Sequence, residues 1–169
     1  MLLRKSIRHQ LFFVTICLGA FSLSTTAQNE TSLASRIVEA LKAKEPNWTY
    51  RPFVEWSHEP LVPSEKHILT GTCRGPKSKT QDVQVRVYSV ENIGDATAWL
   101  KPWRDKQVAE GWKVSAFQIG DEGYLSTYKN GERFEISLRK GTVVARTAAG
   151  YLDKVKEFAE CVIDSVSPK

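Results

Sequence analysis

The chain has 169 residues, which is enough for one domain and a tight fit for two. Its formal net charge is +5, but part of this basicity lies at the start of the chain. Residues 1–27 hold three basic residues, Arg4, Lys5 and Arg8, and no acidic ones, so the remaining residues carry a net charge of +2. Since nucleic-acid-binding domains usually present a clustered basic face, we predict no nucleic-acid partner.

The N-terminal segment has the three parts of a secretory signal peptide. Its first ten residues contain the three basic residues, residues 11–24 are an apolar run, and residues 25–27 are small and end at Ala27. The apolar run is shorter than the roughly 20 residues that a membrane-spanning helix needs. We therefore predict a signal peptide at 1–27 and a mature domain at 28–169 without a transmembrane segment, located in the periplasm or outside the cell. An uncleaved N-terminal anchor is the alternative.

Two cysteines, Cys73 and Cys161, remain after the predicted cleavage. An even number of cysteines in an exported chain favours a disulfide bond. Cys73 falls on a predicted strand and Cys161 on the last predicted helix, so the bond would fasten that helix to the sheet. Two buried, unpaired thiols are the alternative.

The first half of the predicted mature domain begins with a helix, which three strands follow. Thr31 is the expected N-cap, and Leu33, Ile37 and Leu41 then fall on one helical face. Pro52 indicates an edge strand, because proline cannot donate to a sheet ladder. The predicted elements are a loose leader at 28–30, a helix at 31–44, a strand at 48–56, a proline-rich loop at 58–66, and strands at 67–74 and 82–90.

The second half predicts a helix, four strands and a final helix. Asp95 is the expected N-cap of the first of these helices, and Pro102 kinks or restarts it. Asn130 and Gly131 form the strongest short hairpin signal in the chain. The predicted elements are a helix at 95–110, strands at 112–119, 124–128, 133–139 and 142–148, and a helix at 151–166.

These elements predict a single α+β domain of order α-β-β-β-α-β-β-β-β-α. Short turns favour one mostly antiparallel sheet of about six to seven strands with helices packed on one face. The alternating strands leave a second face that is polar, and we expect it to be solvated. Its polar residues are Arg86, Lys113, Arg133, Glu135, Arg139 and Arg146.

One pattern in the last third of the chain resembles a known group of proteins. The run 119–124 (IGDEGY), a hairpin, and the run 138–144 (LRKGTVV) are similar to a pattern in many small exported bacterial domains of unknown function. The resemblance implies a fold and no activity, and it implies no functional residues.

The candidate chemistry lies around two histidines, His58 and His67. Glu55 and Glu59 flank the first of them, and zinc accepts such ligands. The segment lacks metalloprotease spacing and is rich in proline, which favours an ordinary solvated loop. The chain also lacks a Gly-x-Ser-x-Gly elbow and a phosphate-binding glycine loop. We therefore predict no catalytic, metal-binding or cofactor-binding residues and no cofactor.

Five tryptophans are the unusual part of the composition. Trp99 and Trp103 lie four residues apart and share a helix face, while Trp112 opens a strand. Tryptophan is favoured in binding sites, so these three residues are a candidate binding surface. The sequence favours the alternative, in which the large rings fill a thin core and at least one of Trp99 and Trp103 is buried.

The leading hypothesis is a non-enzymatic exported domain that binds a small ligand or an envelope protein, or has an accessory role in the cell envelope. The alternative is a small exported hydrolase with a site assembled from His58, His67 and nearby carboxylates. Asn29 and Asn47 lie in glycosylation motifs, which matter only in a eukaryotic secretory host.

Overall fold

The computed structural model describes residues 24–53, 58–76 and 82–166, with side chains from residue 33 onward. Residues 1–23 of the predicted signal peptide lie outside this part of the chain. None of the described helices is long and apolar enough to cross a membrane.

In the described part of the chain, three helices and seven strands follow the predicted order. Their bounds are α1 Ser24–Lys44, β1 Thr49–Pro52, β2 Lys66–Arg74, β3 Asp82–Ser89, α2 Ile93–Ala109, β4 Lys113–Ala116, β5 Glu122–Tyr128, β6 Arg133–Lys140, β7 Val143–Ala149 and α3 Leu152–Val166. All strands pair antiparallel in one sheet of order β1-β2-β3-β7-β6-β5-β4. Two meanders, β1–β3 and β4–β7, therefore meet where β3 pairs with β7. The predicted α+β class and element order are confirmed.

Two helices begin earlier than predicted. Helix α1 starts at Ser24 and continues through Thr31, so Thr31 is not its N-cap. Helix α2 starts at Ile93, and the Asn92 side chain accepts a hydrogen bond of 2.9 Å from the backbone N–H of Asp95. Asparagine and aspartate are about equally good N-caps, and here the asparagine takes that position.

Two strands are shorter than predicted. Strand β1 ends at Pro52, and residues 54–57 of the predicted strand lie outside the described part of the chain. Strand β4 ends at Ala116, although the backbone N–H of Phe117 still donates to the carbonyl of Gly123 at 3.0 Å, in line with the antiparallel register of β4 and β5.

The main core lies between the sheet and the helices α1 and α3. Valines 83, 85 and 87 alternate along β3 and point to this face, as the sequence predicts. The helices contribute Ile37 and Phe158, which are fully buried. The remaining buried members of this core are Leu33, Leu41, Leu69, Cys73, Ile136, Leu138, Val143, Ala145, Ala149, Val155, Ala159 and Val162.

The third helix, α2, packs on the opposite face, which corrects the expectation that all helices share one face. Its buried residues Ala96, Trp99 and Leu100 form a second core with Tyr88 and Val144. This face was expected to be solvated because it carries charges. A helix can nevertheless cover a charged face when each buried charge has a partner.

Glu135 and Arg146 provide that pairing. They are 3% and 9% exposed, and the Arg146 guanidinium donates to both Glu135 oxygens at 2.8 and 3.1 Å. The indole N–H of Trp103 donates to Glu135 Oε1 at 2.5 Å. The expectation of a solvated face is therefore wrong for these two residues, although it holds at Lys113 and Arg133, which are exposed.

The IGDEGY turn has a structural role. Gly120 has a φ of +63°, and a Cβ there would lie 2.4 Å from the carbonyl oxygen of Arg139. The Asp121 carboxylate accepts a hydrogen bond of 2.7 Å from the backbone N–H of Gly141, which with Lys140 and Arg139 holds the pKa of Asp121 below its usual value. The motif thus fastens the start of β5 to the turn between β6 and β7.

Candidate functional site

The two histidines of the predicted mature domain come together in one cleft. The cleft has a volume of about 370 Å³. Strands β2 and β3 form its floor, and the segment 58–65 folds over one side. The lining residues are Phe53, His58, Pro60, Glu65, His67, Thr70 and Tyr88. The expectation of an ordinary solvated loop is wrong for His58, whose side chain is only 25% exposed.

Local interactions hold the segment 58–65 against the sheet. Val62 is buried and joins the core under α2. Its carbonyl accepts a hydrogen bond of 3.1 Å from the backbone N–H of Glu65, which forms a turn. The Ser64 hydroxyl donates to the Asp95 carboxylate at the start of α2. These contacts fix the position from which Glu65 reaches inward.

Glu65 is the buried charge of the site, and its side chain is 3% exposed. One carboxylate oxygen accepts from the ring nitrogen Nε2 of His58. The other accepts from the backbone N–H of Leu61 at 3.0 Å and from the indole N–H of Trp99 at 2.6 Å. A buried carboxylate needs such donors to replace water. Because three donors occupy Glu65, its main effect is to hold His58 in place.

Tyr88 connects the aromatic groups around the cleft. The His58 ring stacks on it with the centroids 5.0 Å apart and the planes 17° from parallel. His67 approaches it edge-on at 6.0 Å, and Trp99 packs on it at 5.8 Å. The result is a wall of flat, mostly apolar surfaces.

A second hydrogen-bonded chain lies on the β2 side. The Nε2 atom of His67 is 3.1 Å from the Thr70 hydroxyl. That hydroxyl donates to the carbonyl oxygen of Phe53 at 2.5 Å. The Arg86 guanidinium lies 5.5 Å from the Phe53 ring centroid, which places one positive charge beside the cleft.

The predicted tryptophan surface separates into three environments. Trp99 is completely buried, so the predicted burial of at least one ring on α2 is confirmed. Trp103 is half-buried, and the Arg146 guanidinium lies 3.3 Å from its ring centroid. Trp112 packs on Tyr128 with the ring centroids 4.9 Å apart. The three rings therefore do not form one surface.

Cys73 and Cys161 are free thiols in the structure, so the predicted disulfide bond is absent from it. Cys73 is buried on β2 in the main core, and Cys161 on α3 packs against the same core. Burial and the neighbouring Cys161 raise the pKa of Cys73 to about 12. The two side chains thus lie on the strand and the helix that the sequence predicts.

Sequence reasoning named two of the seven lining residues as site residues, His58 and His67, and missed the other five, which are Phe53, Pro60, Glu65, Thr70 and Tyr88. The carboxylates proposed near the histidines were Glu55, which lies outside the described residues, and Glu59, which is exposed. Tyr88 could have been identified from the sequence, since it is a large aromatic ring on the otherwise polar side of β3, opposite the alternating valines. Glu65 carried no such signal, because its partner Trp99 lies far along the chain.

Among the described residues, no three histidine, cysteine, aspartate or glutamate side chains are grouped as metal ligands would be. The features that characterise the cleft are its aromatic walls and the two hydrogen-bonded histidines, His58 with Glu65 and His67 with Thr70. No protein-family model matches the chain, and no curated protein sequence is significantly similar to it.

Proposed function

We propose that the chain is an exported, non-enzymatic domain that binds a small, largely apolar ligand in the cleft between β2, β3 and the segment 58–65. The observation that carries this proposal is the combination of cleft volume and flat ring walls. Small-molecule sites are typically concave and apolar, of about 300–1,000 Å³, with a few polar groups that orient the ligand. This cleft meets each of these conditions.

The polar groups of the cleft favour binding over catalysis. A nucleophilic site needs a hydroxyl or thiol with its proton directed at a base. The Thr70 hydroxyl directs its proton at the Phe53 carbonyl, and the Glu65 carboxylate is occupied by three donors. These groups therefore build the cleft and orient its histidines.

The test measures the binding of a neutral fluorescent probe, N-phenyl-1-naphthylamine, to the wild type and to two variants at neighbouring positions. His67→Trp places a large ring in the cleft, whereas Lys66→Trp adds the same ring at the adjacent exposed position of β2. We expect wild type and Lys66→Trp to bind the probe equally, and His67→Trp to bind it at least about tenfold more weakly. Equal binding by both variants, or no binding by the wild type, contradicts the proposal.

The second candidate is a small exported hydrolase, and the pair of His58 and Glu65 is the observation that favours it. A carboxylate that orients a histidine is a frequent part of hydrolytic sites. Hydrolysis of chromogenic short-chain esters by wild type and His58→Gln distinguishes the two functions. Turnover that disappears in this variant supports the hydrolase, and turnover that survives it, or none at all, contradicts it.

On this proposal the domain acts in the periplasm or outside the cell after removal of residues 1–27. Sequencing of the N-terminus of exported material should then begin near Gln28, because small residues precede it. An intact Met1 would contradict cleavage.

A further inference from the structure

The hydrogen bonds of Thr70 fix the proton on its neighbour His67. The Thr70 hydroxyl has one proton, and the carbonyl of Phe53 receives it at 2.5 Å. The same oxygen lies 3.1 Å from Nε2 of His67. It is therefore an acceptor toward that ring, and Nε2 carries the hydrogen.

This arrangement leaves the other ring nitrogen as an acceptor. A neutral histidine carries one ring proton, so Nδ1 of His67 presents a lone pair. His67 is exposed and lines the cleft. Within the described part of the chain, His67 makes the Thr70 hydrogen bond and the ring contact with Tyr88, so Nδ1 is left for a ligand or for water.

The carboxylate of the cleft does not compete for the same ligand group. Both oxygens of Glu65 already accept hydrogen bonds, from His58, from the Leu61 backbone and from Trp99. Among the described lining residues, His67 is thus the side chain best placed to accept a hydrogen bond from a polar group on a ligand. Its flat neighbours favour a planar ligand body.

We infer that the cleft takes a planar, largely apolar molecule that bears an O–H or N–H donor, and that Nδ1 of His67 accepts this hydrogen bond. The inference rests on the proposed ligand-binding function and names its ligand class. A site built around one fixed acceptor rejects an analogue that lacks the donor. Phenols and compounds with an indole-type N–H belong to this class.

The test uses three probes that share one ring system. They are 2-naphthol, which has the donor, 2-methoxynaphthalene, which has only an acceptor, and 2-naphthoate, which is an acceptor with a negative charge. All affinities are measured in one buffer at a pH of about 8. We expect 2-naphthol to bind roughly tenfold more tightly than 2-methoxynaphthalene, the effect of one hydrogen bond, and 2-naphthoate to bind most weakly.

Two variants assign the preference to His67. His67→Phe keeps a flat ring but removes the acceptor, and we expect the affinity ratio of 2-naphthol to 2-methoxynaphthalene to fall to about one. Lys66→Ala, at the adjacent position of β2, should keep the wild-type ratio. Both positions are exposed, so neither change removes core packing.

The outcomes separate the inference from the function on which it rests. If no probe binds, the proposed function and the inference fall together. If the probes bind equally well, or if 2-naphthoate binds best, the cleft is a ligand site but the donor inference is wrong. If His67→Phe keeps the wild-type affinity ratio of 2-naphthol to 2-methoxynaphthalene, the donor inference is also wrong, because a group other than His67 then accepts the hydrogen bond.

Discussion

The indole N–H of Trp99 donates a hydrogen bond of 2.6 Å to the Glu65 carboxylate, across 34 positions of the chain. The bond joins helix α2 to the segment that closes the cleft. Trp99 also packs on Tyr88 in the cleft wall. The helix that covers the charged sheet face therefore also supports the candidate site.

Replacement of the buried carboxylate should destabilise the fold. Glu65→Gln replaces one acceptor oxygen by an NH₂ group. This group either faces the N–H donors of Leu61 and Trp99 and leaves them unpaired, or forces His58 into the tautomer that accepts at Nε2. We expect a loss of about 1–3 kcal/mol in the free energy of unfolding, measured by urea denaturation. Glu59→Gln, an exposed change in the same segment, should cost less than about 0.5 kcal/mol. Equal losses would show that Glu65 does not organise the segment.

Loss of the Trp99 ring should be costly, because the ring is completely buried. Trp99→Ala removes both its packing and the donor to Glu65, and we expect it to cost about 3–5 kcal/mol. Val108→Ala is the control on the same helix, at a residue that is 57% exposed, and should cost less than about 0.5 kcal/mol. Thermal or urea unfolding of both variants measures the difference. A cost near zero for Trp99→Ala would contradict the described core.

Alanine substitutions at two glycines with similar φ angles distinguish backbone strain from steric overlap. Gly120 and Gly141 have φ values of +63° and +58°. A Cβ at Gly141 meets no atom within 4 Å, whereas one at Gly120 lies 2.4 Å from the Arg139 carbonyl oxygen. Gly141→Ala should cost about 1 kcal/mol, the penalty of the left-handed conformation. We expect Gly120→Ala to cost at least twice that by urea denaturation, and equal costs would contradict a close contact in the IGDEGY turn.

The stability of the fold should decline at alkaline pH, and Tyr124 should contribute to the decline. Burial raises the pKa of Tyr124 to about 12 from the model-compound value of 10.0. Between these values the unfolded chain loses the phenol proton while the folded chain keeps it. Unfolding is therefore favoured as the pH rises, by up to roughly 1.4 kcal/mol per pH unit for this group.

Tyr124→Phe tests this dependence. The variant loses the hydrogen bond of 2.8 Å from the phenol to the Leu100 carbonyl, so at neutral pH it should be less stable by about 1 kcal/mol. Its stability should then decline less steeply above a pH of about 10, so that the gap to wild type narrows. Urea denaturation at several pH values measures both curves. If the difference in unfolding free energy between the two proteins stayed constant as the pH rises, the raised pKa of the Tyr124 phenol would be contradicted.

Burial predicts slow alkylation of Cys73, which is a free thiol in the structure. Because burial raises the pKa of this thiol to about 12, Cys73 should react slowly with iodoacetamide in the native protein. Unfolding in urea should remove this protection, and mass spectrometry of proteolytic peptides measures both rates. Alkylation that is as fast in the native protein as in urea would contradict the burial of Cys73 in the main core.

The class and order of the fold could be predicted because their signals are local. The alternation of Val83, Val85 and Val87 identifies a strand and the side of the sheet that the core occupies. The apolar stripe of α3, with Val155, Phe158 and Val162 buried, likewise follows from helical spacing. Each pattern spans a few residues, and backbone geometry converts it directly into a strand or a helix.

The position of α2 and the composition of the cleft depend on the tertiary structure. A charged strand face indicates solvent exposure, yet Glu135 is buried because Arg146 on the next strand and Trp103 on α2 satisfy its oxygens together. The bond between Glu65 and Trp99 has the same origin. A buried charge is stable only when its donors converge, and these donors come from separate elements, so no pattern along the chain reveals them.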